Sequence, residues 1–270
     1  MAETLDALLK SGKPFVLPGA YDALSARIAA RSGAPAVYMT GFGVVGASFG
    51  VPDIGLIGPD QMAERVRAIA SAIAPVPLVA DGDNGHGNAA NVARLVRAYE
   101  SGGAQAIQLE DQVSPKRCGH MDGKEVVPLD DAVAKIHAAV GARSSTAFKI
   151  VARTDARSTH DLGEALRRAD AFAKAGADVL FVEAARSEEE LARIASEFAG
   201  FPTLANMVED GKTPVLAPEV LFAMGYRIVL KPISALLAVT KTLERLYAGE
   251  TGERVTFQHY NEIVGLSDYR

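Results

Sequence analysis

The fold is decided by one strand–helix–strand unit, which reads Val76-Pro77-Leu78-Val79-Ala80-Asp81, then a helical pattern from Asn88 to Ser101, then Ala106-Ile107-Gln108-Leu109-Glu110. The two outer runs are short and apolar, as buried strands are. The middle segment repeats its apolar residues at helical spacing, at Val92, Leu95, Val96 and Tyr99. Buried parallel strands read as continuous apolar runs and need a helix to connect them. The unit therefore predicts two parallel strands joined by a crossover helix.

The same alternation continues on both sides of this unit. Further strands are predicted over residues 15–18, 36–40, 148–153, 179–183, 203–206 and 227–231. Further helices are predicted over residues 23–31, 59–72, 129–140, 161–175, 187–198, 218–224 and 233–247. About eight strand–helix pairs favour an α/β fold, a (β/α)8 TIM barrel in a single domain. A doubly wound open sheet is the alternative.

The C-terminal part of the chain departs from this alternation. We expect residues 1–249 to form the catalytic barrel and residues 250–270 to form a C-terminal extension. The sequence turns polar after Gly249, and residues 256–269 fit either a final helix or an irregular tail.

Composition narrows the class of partner. The chain has 270 residues, a net charge of −5 and one Cys. With no Lys/Arg-rich run, the charge pattern indicates neither nucleic acid nor an anionic membrane, so we expect a small-molecule partner. A single Cys forms no internal disulfide, the acidic N-terminus does not resemble a signal peptide, and no apolar run approaches membrane-spanning length. The sequence therefore predicts a cytoplasmic protein.

The densest concentration of reactive side chains follows the strand that ends at Glu110. Residues 109–124 hold carboxylates, three cations, an imidazole and the single thiol, Cys118. A lone Cys is usually a small buried hydrophobic residue. Here it lies among Lys116, Arg117 and His120, and nearby positive charge lowers the pKa of a thiol. The segment therefore favours a reactive loop at the end of a strand.

Polar residues stand at or just after the ends of most predicted strands: Tyr38, Asp81 with Asp83, Glu110, Arg153 with Asp155, Glu183, Asn206 and Lys231. In a (β/α)8 barrel these ends converge on the C-terminal mouth, where active sites lie. Salt bridges between neighbouring strands explain any single one of them. The full set indicates a functional site.

Four carboxylates near these strand ends predict a metal site: Asp53, Asp81, Asp83 and Glu110. Like charges held close together favour a cation, and oxygen ligands suit Mg²⁺ or Mn²⁺. Zinc is not indicated, because the chain lacks a Cys/His set at metal-binding spacing. Arg153 and Arg117 are candidates for binding a substrate carboxylate, and Lys116, His120 and Asn206 offer further donors. The glycines of residues 82–87 lack the spacing of a dinucleotide-binding loop.

These motifs resemble a known family. Lys116-Arg117-Cys118-Gly119-His120, preceded by Leu109-Glu110-Asp111-Gln112 and Asp81-Gly82-Asp83, resembles the isocitrate lyase and phosphoenolpyruvate mutase superfamily, lyase branch. The similarity runs from about residue 18 to residue 246. Residues 152–156, 205–207 and 212–214 look most like the methylisocitrate lyase and 2,3-dimethylmalate lyase groups.

The resemblance implies a role for each matching position. Asp81 would bind Mg²⁺, and Asp53, Asp83 and Glu110 would act on it largely through water. The backbone of Thr40, Gly41 and Phe42 would bind the substrate α-carboxylate together with Arg153. Cys118 would serve as general acid and Tyr38 as base. The other expected substrate contacts are Gly119, His120, Glu183 and Asn206. The other expected catalytic residues are Lys116, His120, Arg153 and Glu183.

The resemblance also implies the reaction. The leading hypothesis is a Mg²⁺-dependent carbon–carbon lyase that cleaves a 2-hydroxy di- or tricarboxylic acid, of the 2-methylisocitrate or 2,3-dialkylmalate type, to pyruvate or glyoxylate plus a second carboxylate. The alternatives are an oxaloacetate hydrolase or decarboxylase of the same superfamily and a non-catalytic dicarboxylate-binding barrel. Phosphonate chemistry is not expected, because the mutase branch lacks the Cys motif. A homotetramer, a dimer of dimers that exchanges C-terminal helices, is expected by analogy.

Three positions depart from the family pattern and affect the substrate prediction. Phe42 stands where a small residue is frequent, which narrows the pocket. His86 replaces a common Tyr or Phe, and Lys231 replaces a frequent aromatic residue.

Overall fold

The computed structural model describes residues 3–116 and 123–265, and within them the chain forms a closed barrel of parallel strands. Each strand pairs with the next in sequence, and the last pairs with the first. The strands are β1 (Phe15–Ala20), β2 (Val37–Met39), β3 (Leu78–Asp81), β4 (Ala106–Glu110), β5 (Lys149–Thr154), β6 (Val179–Val182), β7 (Thr203–Asn206) and β8 (Ile228–Lys231). The predicted (β/α)8 barrel is confirmed, and the open-sheet alternative is wrong.

Helices connect the strands and surround the barrel. They are α1 (Leu5–Lys10), α2 (Ala23–Arg31), α3 (Gly41–Phe49), α4 (Pro59–Ile73), α5 (Ala89–Ser101), α6 (Leu129–Ala142), α7 (Ala156–Thr159), α8 (Leu162–Lys174), α9 (Glu188–Glu197), α10 (Pro218–Met224), α11 (Ser234–Tyr247) and α12 (Phe257–Ile263). Side-chain caps begin several of them, including Asp22, Asn88, Asp161 and Ser187. Each cap satisfies a backbone N–H that the first helical turn leaves unpaired.

The strands contribute to two apolar layers because side chains alternate between the faces of a strand. The inner layer fills the barrel with residues from most strands, including Phe15, Leu17, Val79, Val151, Val179, Leu204 and Ile228. The outer layer packs the other strand faces against α2, α4, α5, α6, α8 and α9. The same alternation places Asp81, Glu110 and Arg153 on the inner face, above the inner apolar layer.

Helix α1 covers the N-terminal end of the barrel and was not predicted. Leu5 is buried in the inner apolar layer, and its backbone N–H donates to Gln105 Oε1 at 2.8 Å. Beside it, Lys149 Nζ lies 2.7 Å from Asp6 and 3.7 Å from Asp178. We call this end, with Asp6, Arg143, Lys149 and Asp178, the floor of the barrel.

The sequence prediction also missed α3, because three of its residues are glycines, which are poor helix formers. Its ends carried the signal: Thr40 accepts from the Gly43 backbone N–H, and Gly50 ends the helix with a positive φ. Helix α12 lies in the C-terminal extension, so residues 257–263 are helical. Arg31 of α2 donates to the carbonyl oxygen of Glu262 at 3.1 Å.

Helix α11 is the least covered of the described helices. It has no buried residue, and it exposes Leu237, Val239, Leu243, Leu246 and Tyr247. Along the part of the chain that the structure describes, no helix combines the length and the apolar character that a membrane span requires.

Candidate active site

The C-terminal ends of the strands surround a cavity of about 420 Å³. Its polar lining is Tyr38, Thr40, Asp53, Asp81, Glu110, Lys116, Arg153, Glu183, Asn206, Glu209 and Asp210. Its apolar lining is Phe42, Pro52, Phe181, Val208, Leu230, Pro232 and Ile233. The structure thus brings most of the predicted polar strand ends together in one cavity, at the end of the barrel where this fold carries its active sites. Asp83, Asp155 and Lys231 do not line it. We call this end the mouth of the barrel.

Asp81, the last residue of β3, is held by backbone donors. Its Oδ2 accepts from the Gly41 N–H at 3.2 Å and its Oδ1 from the Asp83 N–H at 3.1 Å. The Tyr99 hydroxyl donates to the Asp81 carbonyl oxygen at 2.9 Å and fixes the strand end. Burial, and next the charge of Asp83, raise the pKa of Asp81 to about 6. A cation beside this carboxylate would remove that penalty.

Gly41 is required at its position by the close approach of Asp81. A Cβ atom there would lie 2.7 Å from Asp81 Oδ2. The glycine therefore lets the first turn of α3 approach the carboxylate.

Lys116 lies between two of the predicted metal-binding carboxylates. Its Nζ is 2.6 Å from Asp53 and 2.7 Å from Asp83 Oδ1, and all three side chains are buried. Burial alone lowers the pKa of Lys116, but the surrounding carboxylates, Asp83 first, outweigh it and raise that pKa well above the ordinary value. Lys116 is therefore a fixed cation.

Arg153 on β5 is oriented by a bidentate pair. Its Nε and Nη2 donate to Asp155 Oδ2 and Oδ1, both at 2.9 Å. Glu110 and Glu183 lie 3.4 and 3.5 Å from the guanidinium, which sits 5.2 Å from the centre of the Phe181 ring. The bidentate geometry fixes the guanidinium plane at the wall of the cavity.

A buried network behind Arg153 was not predicted. Asp155 also accepts from Lys124 Nζ at 2.7 Å, and its backbone N–H donates to Asp111 at 2.9 Å. Asp111 in turn accepts from Thr154 and from Arg168. Lys124 and Asp155 were visible as charged residues beside Cys118 and Arg153, but Arg168 lies on α8 and carried no sequence signal.

Glu183 and Asn206 form a pair between the ends of the neighbouring strands β6 and β7. Asn206 Nδ2 donates to Glu183 Oε2 at 3.0 Å, and the Ala184 N–H donates to Glu183 Oε1 at 2.9 Å. Within the described residues, Asn206 Oδ1 is buried without a hydrogen-bond partner. Ala184 has a φ of 62°, a strained value of the kind that clusters at functional sites.

Tyr38 and Glu110 are protonated more readily than usual. Burial, then the charge of Asp81, raise the pKa of Tyr38 well above its ordinary value. Burial also raises the pKa of Glu110 well above its ordinary value, against the opposing effect of Arg153. Glu110 Oε1 is buried and, in the described part of the chain, accepts no hydrogen bond.

The predicted carboxylate-binding segment lies at the N-terminus of α3. Thr40 Oγ1 accepts from the Gly43 N–H at 3.3 Å and caps the helix, and Thr40 and Phe42 line the cavity. A helix N-terminus attracts anions because its first N–H groups have no partner within the helix. One of these groups, on Gly41, is taken by Asp81.

The donor set suits a hydrated divalent cation. Within residues 3–116 and 123–265, no group of three or more His, Cys, Asp and Glu side chains is preformed around a common metal position. Mg²⁺ usually keeps several waters and takes one or two carboxylates from the protein. The buried Asp81 carboxylate, with its raised pKa, and the unpartnered Oε1 of Glu110 fit that requirement. Asp53 and Asp83 are paired with Lys116.

Four predicted site residues, Arg117, Cys118, Gly119 and His120, lie outside the described residues. His86 lies outside the main cavity, where its Nε2 is 3.7 Å from Asp83 Oδ2. Sequence reasoning missed most of the apolar lining, because Phe181, Val208 and Leu230 look like ordinary strand or loop residues.

Comparison with protein families gives a match over most of the chain. Residues 5–248 match the family model described as phosphoenolpyruvate phosphomutase. The chain belongs to the phosphoenolpyruvate mutase/isocitrate lyase superfamily. The family prediction is confirmed.

Curated proteins that are similar to this chain include lyases. The chain is 45% identical to 2,3-dimethylmalate lyase of Eubacterium barkeri, with 100% of this chain and 96% of that protein covered. It is 42% identical to 2-methylisocitrate lyase of Aeropyrum pernix, with coverage of 98% and 87%. The predicted enzyme class, a lyase of this superfamily, is confirmed.

A solved superfamily structure has the same fold with a different named activity. Oxaloacetate acetylhydrolase in complex with the inhibitor 3,3-difluorooxalacetate superimposes with a TM-score of 0.93 at 36% identity, covering 99% of this chain and 94% of that one.

Proposed function

We propose that this superfamily member is a Mg²⁺-dependent carbon–carbon lyase that cleaves a 2-hydroxy di- or tricarboxylic acid. The products would be pyruvate or glyoxylate plus a second carboxylate. The observation that carries the proposal is Asp81, a largely buried carboxylate with a raised pKa, placed in one cavity with Arg153 and Tyr38. Together they offer a cation site, a carboxylate site and a proton acceptor.

Asp81, assisted by Glu110 and by Asp53 and Asp83 through water, would hold the metal. When bound, Mg²⁺ would act as a Lewis acid toward the substrate hydroxyl and carboxylate oxygens, and Mn²⁺ has the same ligand preference.

Arg153 and the N-terminus of α3 would bind the substrate carboxylate. The bidentate pair with Asp155 fixes the plane of the Arg153 guanidinium. This plane sets the direction of the remaining N–H groups. Thr40 caps the N-terminus of α3. The backbone N–H groups of Thr40 and Gly41 donate to the Ala20 carbonyl oxygen and to Asp81, so Phe42 would offer its N–H to the carboxylate. Glu183 and Asn206 would contact the substrate, and Lys116 holds Asp53 and Asp83 in place.

Proton transfer would complete the reaction. Tyr38 would remove the hydroxyl proton, the carbon–carbon bond would break, and its electron pair would form the enolate of the leaving carboxylate. Cys118 would then protonate that enolate carbon, with Gly119 and His120 beside it in sequence. Because Asp81 is the largest charge-based cause of the raised Tyr38 pKa, a cation on Asp81 would lower that pKa and favour the phenolate that accepts the proton.

The apolar lining supports a substrate that carries alkyl groups. Phe42, Phe181, Leu230 and Ile233 face the cavity together with the charged groups. Buried apolar surface favours a methyl or dialkyl substituent over an additional carboxylate. We therefore favour a 2,3-dialkylmalate over 2-methylisocitrate.

A second candidate is hydrolysis or decarboxylation of oxaloacetate. The similarity to an oxaloacetate acetylhydrolase structure supports it. Both candidates share the cation site and the carboxylate site. A non-catalytic barrel is disfavoured, because relatives that match nearly the whole chain include lyases.

Proton NMR of the purified protein separates these reactions. The protein is offered 2,3-dimethylmalate, methylisocitrate, isocitrate and oxaloacetate in turn, with Mg²⁺ and with a chelator control. We expect chelator-sensitive pyruvate, together with a second carboxylate, from a dialkylmalate or methylisocitrate. Oxalate and acetate, or pyruvate and carbon dioxide, from oxaloacetate alone would establish the second candidate instead.

Assembly and location stay predictions. Helix α11 exposes five large apolar side chains, which supports burial of this helix against another copy of the chain. A homotetramer of helix-exchanging dimers and a cytoplasmic location are the expectations from the sequence.

A further inference from the structure

Lys124 is a buried cation to which the proposed function gives no role. It is the second described residue after residues 117–122, and its side chain is 2% exposed. Its backbone surroundings are fixed by neighbouring pairs. Val113 N–H donates to the Glu125 carbonyl oxygen at 2.9 Å, and Val127 N–H donates to that of Asp111 at 2.9 Å. Lys124 is therefore held by an ordered stem.

The side chain of Lys124 shares one carboxylate with Arg153. Asp155 Oδ1 accepts from Lys124 Nζ at 2.7 Å and from Arg153 Nη2 at 2.9 Å. Asp155 Oδ2 accepts from Arg153 Nε at 2.9 Å. The Asp155 side chain is fully buried, so solvent does not screen these charges.

The charges of this triad decide how strongly Arg153 attracts an anion. A bidentate pair of Arg153 and Asp155 alone is neutral. Glu183, 3.5 Å from the same guanidinium, reduces its attraction for an anion further, and Glu110, at 3.4 Å, does so in its ionised form. With Lys124 included, the Lys124–Asp155–Arg153 triad carries a net positive charge.

We propose that Lys124 is a positioning residue for the reaction: by sharing Asp155 with Arg153, it leaves the Arg153 guanidinium with the positive charge that a substrate carboxylate needs. The inference rests on the proposed function, in which Arg153 binds that carboxylate. Lys124 need not touch the substrate, because it acts through Asp155.

Three substitutions test the charge. Lys124→Met removes the positive charge, and Lys124→Gln keeps a polar N–H group without the charge. Lys124→Arg keeps the charge. We expect Lys124→Met and Lys124→Gln to raise KM about tenfold, the order expected for loss of one weakly screened charge near a binding site, with a smaller change in kcat. Lys124→Arg should return KM to near the wild-type value.

Two binding measurements separate positioning from a general loss of structure. Isothermal titration calorimetry with oxalate, at fixed Mg²⁺, should show the same tenfold loss as KM. Mn²⁺ affinity, measured by electron paramagnetic resonance, should stay unchanged or increase, because removing a cation cannot weaken binding of another cation electrostatically. A parallel loss of oxalate and Mn²⁺ binding would overturn the inference.

Lys149→Met is the matched control. Lys149 is another buried lysine, on the same strand as Arg153 but at the floor, where it pairs with Asp6 and Asp178. The Lys149→Met variant should lower the melting temperature as Lys124→Met does and leave KM unchanged. Equal KM and oxalate affinity in the two variants, or full rescue by Lys124→Gln, would show that Lys124 is only structural.

The outcomes also separate this inference from the proposed function. If the wild-type protein cleaves none of the offered acids but binds oxalate in a Lys124-dependent manner, the lyase proposal fails and the positioning role stands. If the protein cleaves a dialkylmalate and Lys124→Met does not alter KM, the lyase proposal stands and the positioning role fails.

Discussion

The two ends of the barrel use charged residues differently. At the floor, two cations and two carboxylates pair at the rim: Lys149 with Asp6, and Arg143 with Asp178 at 2.6 Å. At the mouth, carboxylates outnumber cations: Asp53, Asp81, Asp83, Glu110, Asp111, Asp155 and Glu183 against Lys116, Lys124, Arg153 and Arg168. The floor is also partly solvated, with Asp6 and Asp178 side chains 22% and 20% exposed.

The mouth, unlike the floor, needs a ligand to balance its charges. Balanced pairs at a solvated rim contribute modestly to stability. An excess of buried carboxylates costs free energy unless a cation compensates it, so the mouth is unfavourable until it is occupied. The raised pKa values of Asp81, Asp53 and Glu110 express that cost.

Asp81→Asn should produce the largest effect. Turnover should fall by about 10⁴-fold, because several kcal/mol of metal-dependent stabilisation would be lost. Without metal, the variant should be more stable than wild type at pH 8, by on the order of 2 kcal/mol, because a raised pKa is a penalty on the charged form. Thermal unfolding in EDTA and assays with Mg²⁺ measure both effects.

The sign of the pH dependence follows from the direction of the shift. Asp81 has a folded-state pKa of about 6 against an ordinary value of 3.8. Its contribution is therefore favourable below the ordinary value and is lost as pH rises through about 6. The stability advantage of Asp81→Asn should shrink between pH 8 and pH 5. Asp178→Asn at the floor should instead destabilise throughout this range; a destabilised Asp81→Asn at pH 8 would contradict the comparison.

Cys118→Ser tests whether residues 117–122, which lie outside the described structure, take part in the reaction at the mouth. As general acid, Cys118 should account for about 10³-fold in kcat. Oxalate and Mg²⁺ affinities should persist, because binding uses Arg153 and Asp81. Single-turnover kinetics and calorimetry provide the measurements. An unchanged kcat would remove Cys118 from the mechanism.

Arg153→Met should weaken carboxylate binding by about 10²-fold, since a bidentate charged contact is lost. It should also destabilise the fold by about 3 kcal/mol, because Asp155 and its neighbours lose a buried partner. Arg143→Met at the floor should cost less stability and leave binding intact. Urea denaturation and oxalate titration compare the two; equal losses in both variants would mean that the mouth and the floor do not differ.

Gly41→Ala should have the smallest effect on activity, about tenfold. Its Cβ would lie 2.7 Å from Asp81 Oδ2 and displace that carboxylate. Gly46→Ala, in the same helix and with open space around its Cβ, should stabilise the protein by up to about 1 kcal/mol without loss of activity. Kinetics and melting temperatures of the pair measure the effect. Similar behaviour of both variants would argue against a tight Gly41–Asp81 contact.

The prediction of the mouth succeeded where a local pattern sufficed. Strand ends are local features, so Asp81, Glu110, Arg153 and Glu183 were found from the sequence and lie in one cavity. The prediction failed where local propensity was overridden. Helix α3 forms despite its glycines. Thr40 caps its N-terminus, and the Gly41 N–H donates to Asp81, a contact between residues far apart in sequence.

Three features could be read from the sequence alone: the order of strands and helices, the polar residues at the strand ends, and the family motifs around Cys118. The pairing of the charges depends on the folded barrel. Lys116 lies beside Asp53 and Asp83, and Asp155 is shared by Arg153 and Lys124. Periodicity is a property of neighbouring residues and can be read along the chain. Charge pairing depends on distances between residues far apart in sequence, which exist only after the barrel has closed.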